Sequence, residues 1–305
     1  MRRSTWIATT AGVVVLAVAA VVVGVTVGSP APEPTRAARA TTTPTPSATP
    51  TPTPTLAPVP AAPSDATLAA LPLAFHDAVV PQLLDGGDVE PEDTWQIATP
   101  RTPLVALYAS PSGGARPVAT LSHLVSTINR PAATAVWGRS PGQDGGMLLV
   151  STPSRNRTPG DGGDPDAPSA TFAWARAADF TVTRTDGMIR VDVAASTVSV
   201  VTRTGEVTAT EVARLGTPED PTPADTATYV EAAYVDTRVA YTQGNPIILT
   251  GAHSSRIPSY GGNAALTALH YYPDPTGSSH GCVRISAEMT RTLAALPVGT
   301  PIRFD

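Results

Sequence analysis

Hydrophobic and polar positions divide the chain into three stretches. Ile7 to Val27 is apolar and carries no charge, whereas Ser29 to Ser64 is mostly Pro, Thr and Ala and has almost nothing to bury. Beyond that, short runs rich in Val, Leu, Ile, Thr and aromatics alternate with Gly/Pro/Ser/Asp clusters, the pattern of successive strands and turns. In the first half these runs are Leu104–Tyr108, Ala135–Trp137, Met147–Val150 and Thr171–Trp174. In the second half Ile189–Val193 and Thr197–Val201 predict a hairpin. Further strands are predicted at Val207–Leu215, Ala227–Val235, Pro246–Thr250 and Ala264–Leu269. One helix is predicted over Ala287–Leu296, with Ser286 as its cap and Met289, Leu293 and Leu296 on one face. Ala66 to Leu84, with Pro72 and Pro81 inside it, reads as short helical pieces. The folded part is therefore predicted to be mostly β: a small β module with a helical lead-in over 65–184, then a β-rich domain over 185–305 with one short C-terminal helix.

The apolar segment is long enough as a helix to span roughly 30 Å, about one hydrocarbon core. Arg2 and Arg3 precede it and no basic residue follows before Arg36, so the positive-inside rule places the rest of the chain outside. Residues 1–28 are thus expected to be a cytoplasmic tip and a single-pass transmembrane anchor, with an uncleaved or cleaved signal segment as the rival. Residues 29–64, with Thr49-Pro50-Thr51-Pro52-Thr53-Pro54, favour polyproline II and predict a semi-rigid linker reaching on the order of 100 Å. The expected location is the cell membrane, with the folded part on the outer side.

Composition narrows the function. Charged residues make up 15% of the chain and the net charge is −5, with no run of five or more basic residues, so a nucleic-acid partner has no electrostatic footprint. A single cysteine excludes a disulfide scaffold, a Cys-rich zinc module and a lipid-anchored amino terminus. No nucleotide loop or His-Glu-x-x-His helix occurs, so no cofactor is implied and no metal is expected from such motifs.

The stretch from His270 to Arg284 concentrates the chemistry. Cys282 follows His280 and Gly281 directly, and His253 and His270 lie upstream. A thiol becomes a nucleophile when an imidazole takes its proton, and Gly281 allows backbone N–H groups to approach a developing oxyanion. A zinc site built from Cys282 with these histidines, or a merely buried cysteine, remains an alternative on chemistry alone.

Ser279-His280-Gly281-Cys282-Val283-Arg284 resembles the signature of the L,D-transpeptidases, the YkuD-type catalytic domain of bacterial cell-wall enzymes. The likeness extends more weakly from about Gly187 to Asp305. Leu215-Gly216-Thr217 with Pro221-Thr222-Pro223 is similar to the family's Gly…Thr-Pro stretch. Ala268-Leu269-His270 is similar to its upstream catalytic histidine, and Gly299-Thr300-Pro301-Ile302 to its closing strand. The region from Met147 to Asp179 faintly resembles the SH3-like module that precedes the domain in related proteins.

The resemblance implies a peptidoglycan L,D-transpeptidase that forms 3→3 cross-links through a Cys282 thioester with a tetrapeptide stem. It implies His270 as general base, held by a backbone carbonyl at Tyr271. The N–H groups of Gly281 and Cys282, with His280 near the thiol, would support the oxyanion. Arg284 would hold a carboxylate or carbonyl of the stem, and Ser279 would serve as a turn residue or hydrogen-bond partner. The distance from His253 to Cys282 is too long for the pattern, which favours His270. The implied partners are peptidoglycan stem peptides as acyl donor and acceptor. An L,D-carboxypeptidase or endopeptidase on the same stems, or an inactive wall-binding protein, are the alternatives.

Overall fold

The structure, a computed structural model, describes residues 55–305 apart from Gly261, Asn263 and Pro275. The expected anchor and most of the expected linker lie outside the described residues. Among the described residues no helix is long and apolar enough to cross a membrane.

The upstream half begins with α1 (Asp65–Ala70), whose cap Ser64 accepts a hydrogen bond from the N–H of Thr67 at 3.2 Å. The helical lead-in is shorter than expected. Pro72 cannot continue a helix, and β1 (Leu73–Ala74) follows it. Then come β2 (Gln96–Pro100), β3 (Leu104–Tyr108), β4 (Pro117–Ser122), β5 (Leu124–Val125), β6 (Arg130–Pro131), β7 (Thr134–Ser140), β8 (Met147–Thr152), β9 (Thr171–Arg176) and β10 (Phe180–Arg184). All but β5 and β6 form one sheet in the order β1-β4-β3-β9-β8-β7-β2-β10. Val105, Leu107, Val136, Leu148, Val150 and Phe180 pack together as its core.

The second half contributes β11 (Gly187–Asp192), β12 (Thr197–Thr202), β13 (Val207–Val212), β14 (Thr226–Tyr234), β15 (Ile247–His253), β16 (Leu266–Tyr271), β17 (Val283–Ile285), α2 (Ala287–Ala294) and β18 (Pro301–Phe304). Its sheet order is β13-β12-β11-β18-β14-β15-β16-β17. The expected hairpin is β11–β12, paired antiparallel, and β18 closes back onto β11 in parallel. Helix α2 starts where Ser286 Oγ accepts from the N–H of Met289 at 3.0 Å, and it buries Met289 and Leu293. Those side chains join Ile189, Val198, Val230, Ile248, Leu269, Val283 and Ile302 in the core of this half.

The two sheets share apolar surface. Trp137, Leu149 and Phe172 from the first pack with Met188, Val201, Ala227 and Tyr229 from the second. Polar ties add to this: Arg303 lies 2.8 Å from the Asp93 carboxylate and 4.9 Å above the Trp137 ring. The described residues accordingly form one compact unit.

Candidate active site

The site lies at the edge of the second sheet, where β16 and β17 run parallel with Leu269 opposite Val283 and His270 opposite Arg284. Leu269 and Val283 are fully buried in the core. Side chains alternate across a strand, so His270 and Arg284 occupy the other face, together with Cys282 immediately before β17. Cys282 comes level with Ala268, two positions from His270 on the neighbouring strand. That diagonal places the two backbones roughly 8 Å apart, within reach of these side chains.

His270 is largely buried, and its Nδ1 lies 2.9 Å from the carbonyl oxygen of Tyr271. Burial lowers its pKa, the hydrogen bond to Tyr271 opposes this, and the charges of Arg284 and Arg214 lower it further. The imidazole is therefore neutral near pH 7. Cys282 retains partial exposure as a residue. Burial pushes its thiol up, against a backbone hydrogen bond from Ala268 and the charge of Arg284. The resting pair is thus thiol and imidazole rather than thiolate and imidazolium.

Ser279, His280 and Gly281 form the turn that presents the cysteine. Ser279 donates its N–H to the carbonyl of Leu215 at 2.8 Å and its hydroxyl to the carbonyl of Cys282, so it ties the turn at both ends. Gly281 has φ +89°, and a Cβ there would lie 3.0 Å from the Pro221 carbonyl oxygen. Only glycine fits that backbone at that approach. The His280 ring is exposed and directs Nδ1 to the carboxylate of Asp220, while its carbonyl accepts from the Tyr260 hydroxyl.

The Gly…Thr-Pro stretch packs beside this turn. Arg214 and Arg284 exchange backbone hydrogen bonds at 3.0 and 2.9 Å, and Gly216 N–H donates to Thr222 Oγ1 at 2.9 Å. Asp225 sits at φ 49°, a backbone region that glycine adopts without cost.

Arg284 is engaged on both sides by its own chain. Its guanidinium lies 4.0 Å over the Tyr272 ring and donates to the Ser278 carbonyl at 2.6 Å. Arg214 donates to the carbonyls of Asp274, Thr276 (2.9 Å) and Tyr272 (3.1 Å). Together the two arginines hold the short connection between His270 and Cys282.

His253 stands apart from this group. It is buried at the end of β15, with Nε2 2.9 Å from the His76 carbonyl and its pKa lowered to about 3, chiefly by burial. Among the described residues no group of three or more His, Cys, Asp or Glu side chains is arranged to hold a metal ion.

Four neighbours had no signal in the sequence. The Tyr241 ring lies 5.3 Å from that of His270, Arg214 and Asp220 enter from the connection between β13 and β14, and Tyr260 enters from that between β15 and β16. Burial, then the nearness of Cys282 and Asp220, pushes the Tyr260 hydroxyl up to about 12.

These features coincide with a family match. Residues 186–303, 118 of the 305, match the model of the L,D-transpeptidase catalytic domain, YkuD. Cys282 and His270 both lie inside the stretch that matches this catalytic domain. Among solved structures, an L,D-transpeptidase from Mycobacterium smegmatis is 17% identical, covering 52% of this chain and 90% of its own, with a TM-score of 0.31. L,D-transpeptidase 1 from Mycobacterium tuberculosis is 20% identical over 44% of this chain and 77% of its own, with a TM-score of 0.28. An L,D-transpeptidase (Yku) from Stackebrandtia nassauensis is 18% identical over 40% of this chain, with a TM-score of 0.28. The match spans 57% of that protein, little more than half its length. Comparison with curated proteins finds no match.

Proposed function

We propose that the chain is a peptidoglycan L,D-transpeptidase that forms 3→3 cross-links through a thioester on Cys282. The observation that carries this reading is the pairing of β16 with β17, which sets Cys282 and His270 on one face with His270 Nδ1 held by the Tyr271 carbonyl. A carbonyl only accepts, so Nδ1 carries the hydrogen and Nε2 is free to take a proton.

Cys282 Sγ attacks the carbonyl that joins the L-centre of the stem's diamino acid to the terminal D-Ala, as His270 Nε2 removes the thiol proton. The N–H groups of Gly281 and Cys282 stabilise the tetrahedral oxyanion. Collapse breaks the C–N bond, the D-Ala amine leaves with the proton from His270, and a thioester remains. The amine of a second stem then attacks this thioester and gives its proton to His270. The new amide forms, and the sulfur leaves to recover its proton from the imidazolium.

Ser279 and the His280–Asp220 pair fix the turn, and Arg284 acts on the stem through the loop it holds. The exported, membrane-anchored arrangement is part of the proposal. Arg2-Arg3, the uncharged 7–27 segment and the Pro/Thr-rich 29–64 stretch support it. So is the division into an upstream β module over 65–184 and a catalytic domain over 185–305.

The test is incubation of the full chain with purified tetrapeptide stems and mass analysis of the products. A dimer lacking one D-Ala, absent with Cys282→Ala, is the expected result. Tripeptide alone would assign the thioester to water and make the protein a carboxypeptidase, and unchanged substrate would refute both.

A further inference from the structure

The connection leaving β15 is held by the upstream half of the chain at successive residues. The N–H of His253 donates to the Ser169 carbonyl at 2.7 Å, and the N–H of Ala167 donates to the Ser255 carbonyl at 2.8 Å. Arg256 Nε lies 2.8 Å from the Asp166 carboxylate. Arg155, between β8 and β9, donates from one guanidinium nitrogen to the carbonyls of Ser254 (3.2 Å) and Ile257 (2.9 Å).

On its other side the same connection touches the turn that presents Cys282. Tyr260 donates its hydroxyl to the His280 carbonyl. Ser254 Cβ lies 3.8 Å from where a Cβ on Gly281 would be, and Arg256 donates to the Pro218 carbonyl at 2.7 Å. Residues 254–260 therefore bridge the upstream half and the nucleophile turn.

Arg155 is the unusual member of this bridge. It is only 1% exposed, and its Nε and Nη1 have no hydrogen-bond partner among the described residues. Burial lowers its pKa to about 10. A buried guanidinium lacking a salt bridge is costly, and an apolar side chain of similar volume would fill the space at less cost. What the arginine adds is a charged donor on two carbonyls of one turn.

We propose that Arg155 is a positioning residue: by holding the Ser254 and Ile257 carbonyls it sets residues 254–260 and, through Tyr260 and His280, the turn that carries Cys282. The upstream half is then a working part of the active site rather than a passive neighbour. The inference rests on Cys282 being the reactive group, as proposed above, but on no particular substrate.

The test uses the full chain with Arg155→Met, which keeps the volume, and Arg155→Lys, which keeps the charge. Two quantities are read: hydrogen exchange at 254–260 and 280–282, and the pH profile of Cys282 alkylation by iodoacetamide. Arg155→Met is expected to speed exchange in both segments and to change the alkylation rate by roughly threefold or more, with Arg155→Lys in between. In a Tyr260→Phe background, Arg155→Met is expected to change alkylation no further, because the relay is already broken. An unchanged alkylation profile in a folded Arg155→Met protein, or full additivity with Tyr260→Phe, would overturn the proposal. If Arg155→Met does not fold, Arg155→Lys carries the same comparison, since its ammonium cannot reproduce the guanidinium geometry on both carbonyls. Turnover of stem peptides is not read, so failure of the transpeptidase reading leaves the result interpretable.

Discussion

His270 Nδ1 lies 2.9 Å from the carbonyl oxygen of Tyr271, its neighbour in β16. The bond fixes both the ring and its tautomer, because the carbonyl has no hydrogen to give. Orientation and proton transfer can be separated by substitution. In His270→Gln an amide can still donate to the Tyr271 carbonyl but cannot accept a proton from sulfur. Acylation of Cys282 by a stem peptide is expected to fall about 10²- to 10⁴-fold, with the melting temperature little changed. Stopped-flow or quenched mass measurement of the acylation rate checks this.

The direction of two shifts sets the pH dependence. Burial first of all lowers His270 below 6.5 and raises Cys282 above 9.0. The active thiol–imidazole pair therefore exists over a wide interval between them. Acylation is expected to rise along an acid limb centred below pH 6.5 and then to stay flat through neutrality. A thiolate–imidazolium pair would instead show a limb set by a depressed cysteine, and the pH profile of kcat/KM distinguishes the two.

Gly281 offers a sharper geometric test. Gly281→Ala places a Cβ in the left-handed region, at a cost of about 1–2 kcal/mol, and brings it 3.0 Å from the Pro221 carbonyl oxygen. The turn must shift, and it carries the sulfur. Acylation is expected to fall by about tenfold to a hundredfold, out of proportion to the loss of stability measured by denaturant melts.

Part of this arrangement was legible in the sequence. The β11–β12 hairpin follows from alternation, since Val198 and Val200 face the core while Ser199 does not. Cys282 and Gly281 stood out by residue type and order, whereas His270 was singled out from His253 and His280 only by the family resemblance. β2 and β4 were not. Gln96–Pro100 and Pro117–Ser122 hold prolines at their ends, and only pairing with distant strands makes them strands. The contacts of Arg284 with the Tyr272 ring and the Ser278 carbonyl carry no sequence signal, because an arginine reads the same whatever it meets. Asp220 beside His280, and Arg155 beside Ser254, join residues 60 and 99 positions apart, and no local pattern encodes such contacts.

Two buried groups make stability depend on pH with opposite signs. His253 has its pKa lowered from 6.5 to about 3, chiefly by burial, so its contribution is present above 6.5 and is lost as pH falls toward 3. Burial raises the fully enclosed Glu231 from 4.5 to about 8, so its contribution is present below 4.5 and is lost as pH rises through 8. Each effect is on the order of several kcal/mol at its limit. The slopes cancel between 4.5 and 6.5, where stability is expected to be flat and greatest. Glu231→Gln is expected to abolish the alkaline decline and leave the acid one, as read from melting temperature against pH.

The most direct measurement is the intact mass of the full chain after brief exposure to a tetrapeptide stem, followed by peptide mapping. The expected result is a single adduct of the stem less its terminal D-Ala, confined to Cys282 and absent from both Cys282→Ala and His270→Gln at the same time point. Release of D-Ala with no adduct on Cys282, or an adduct on any other residue, would contradict the account.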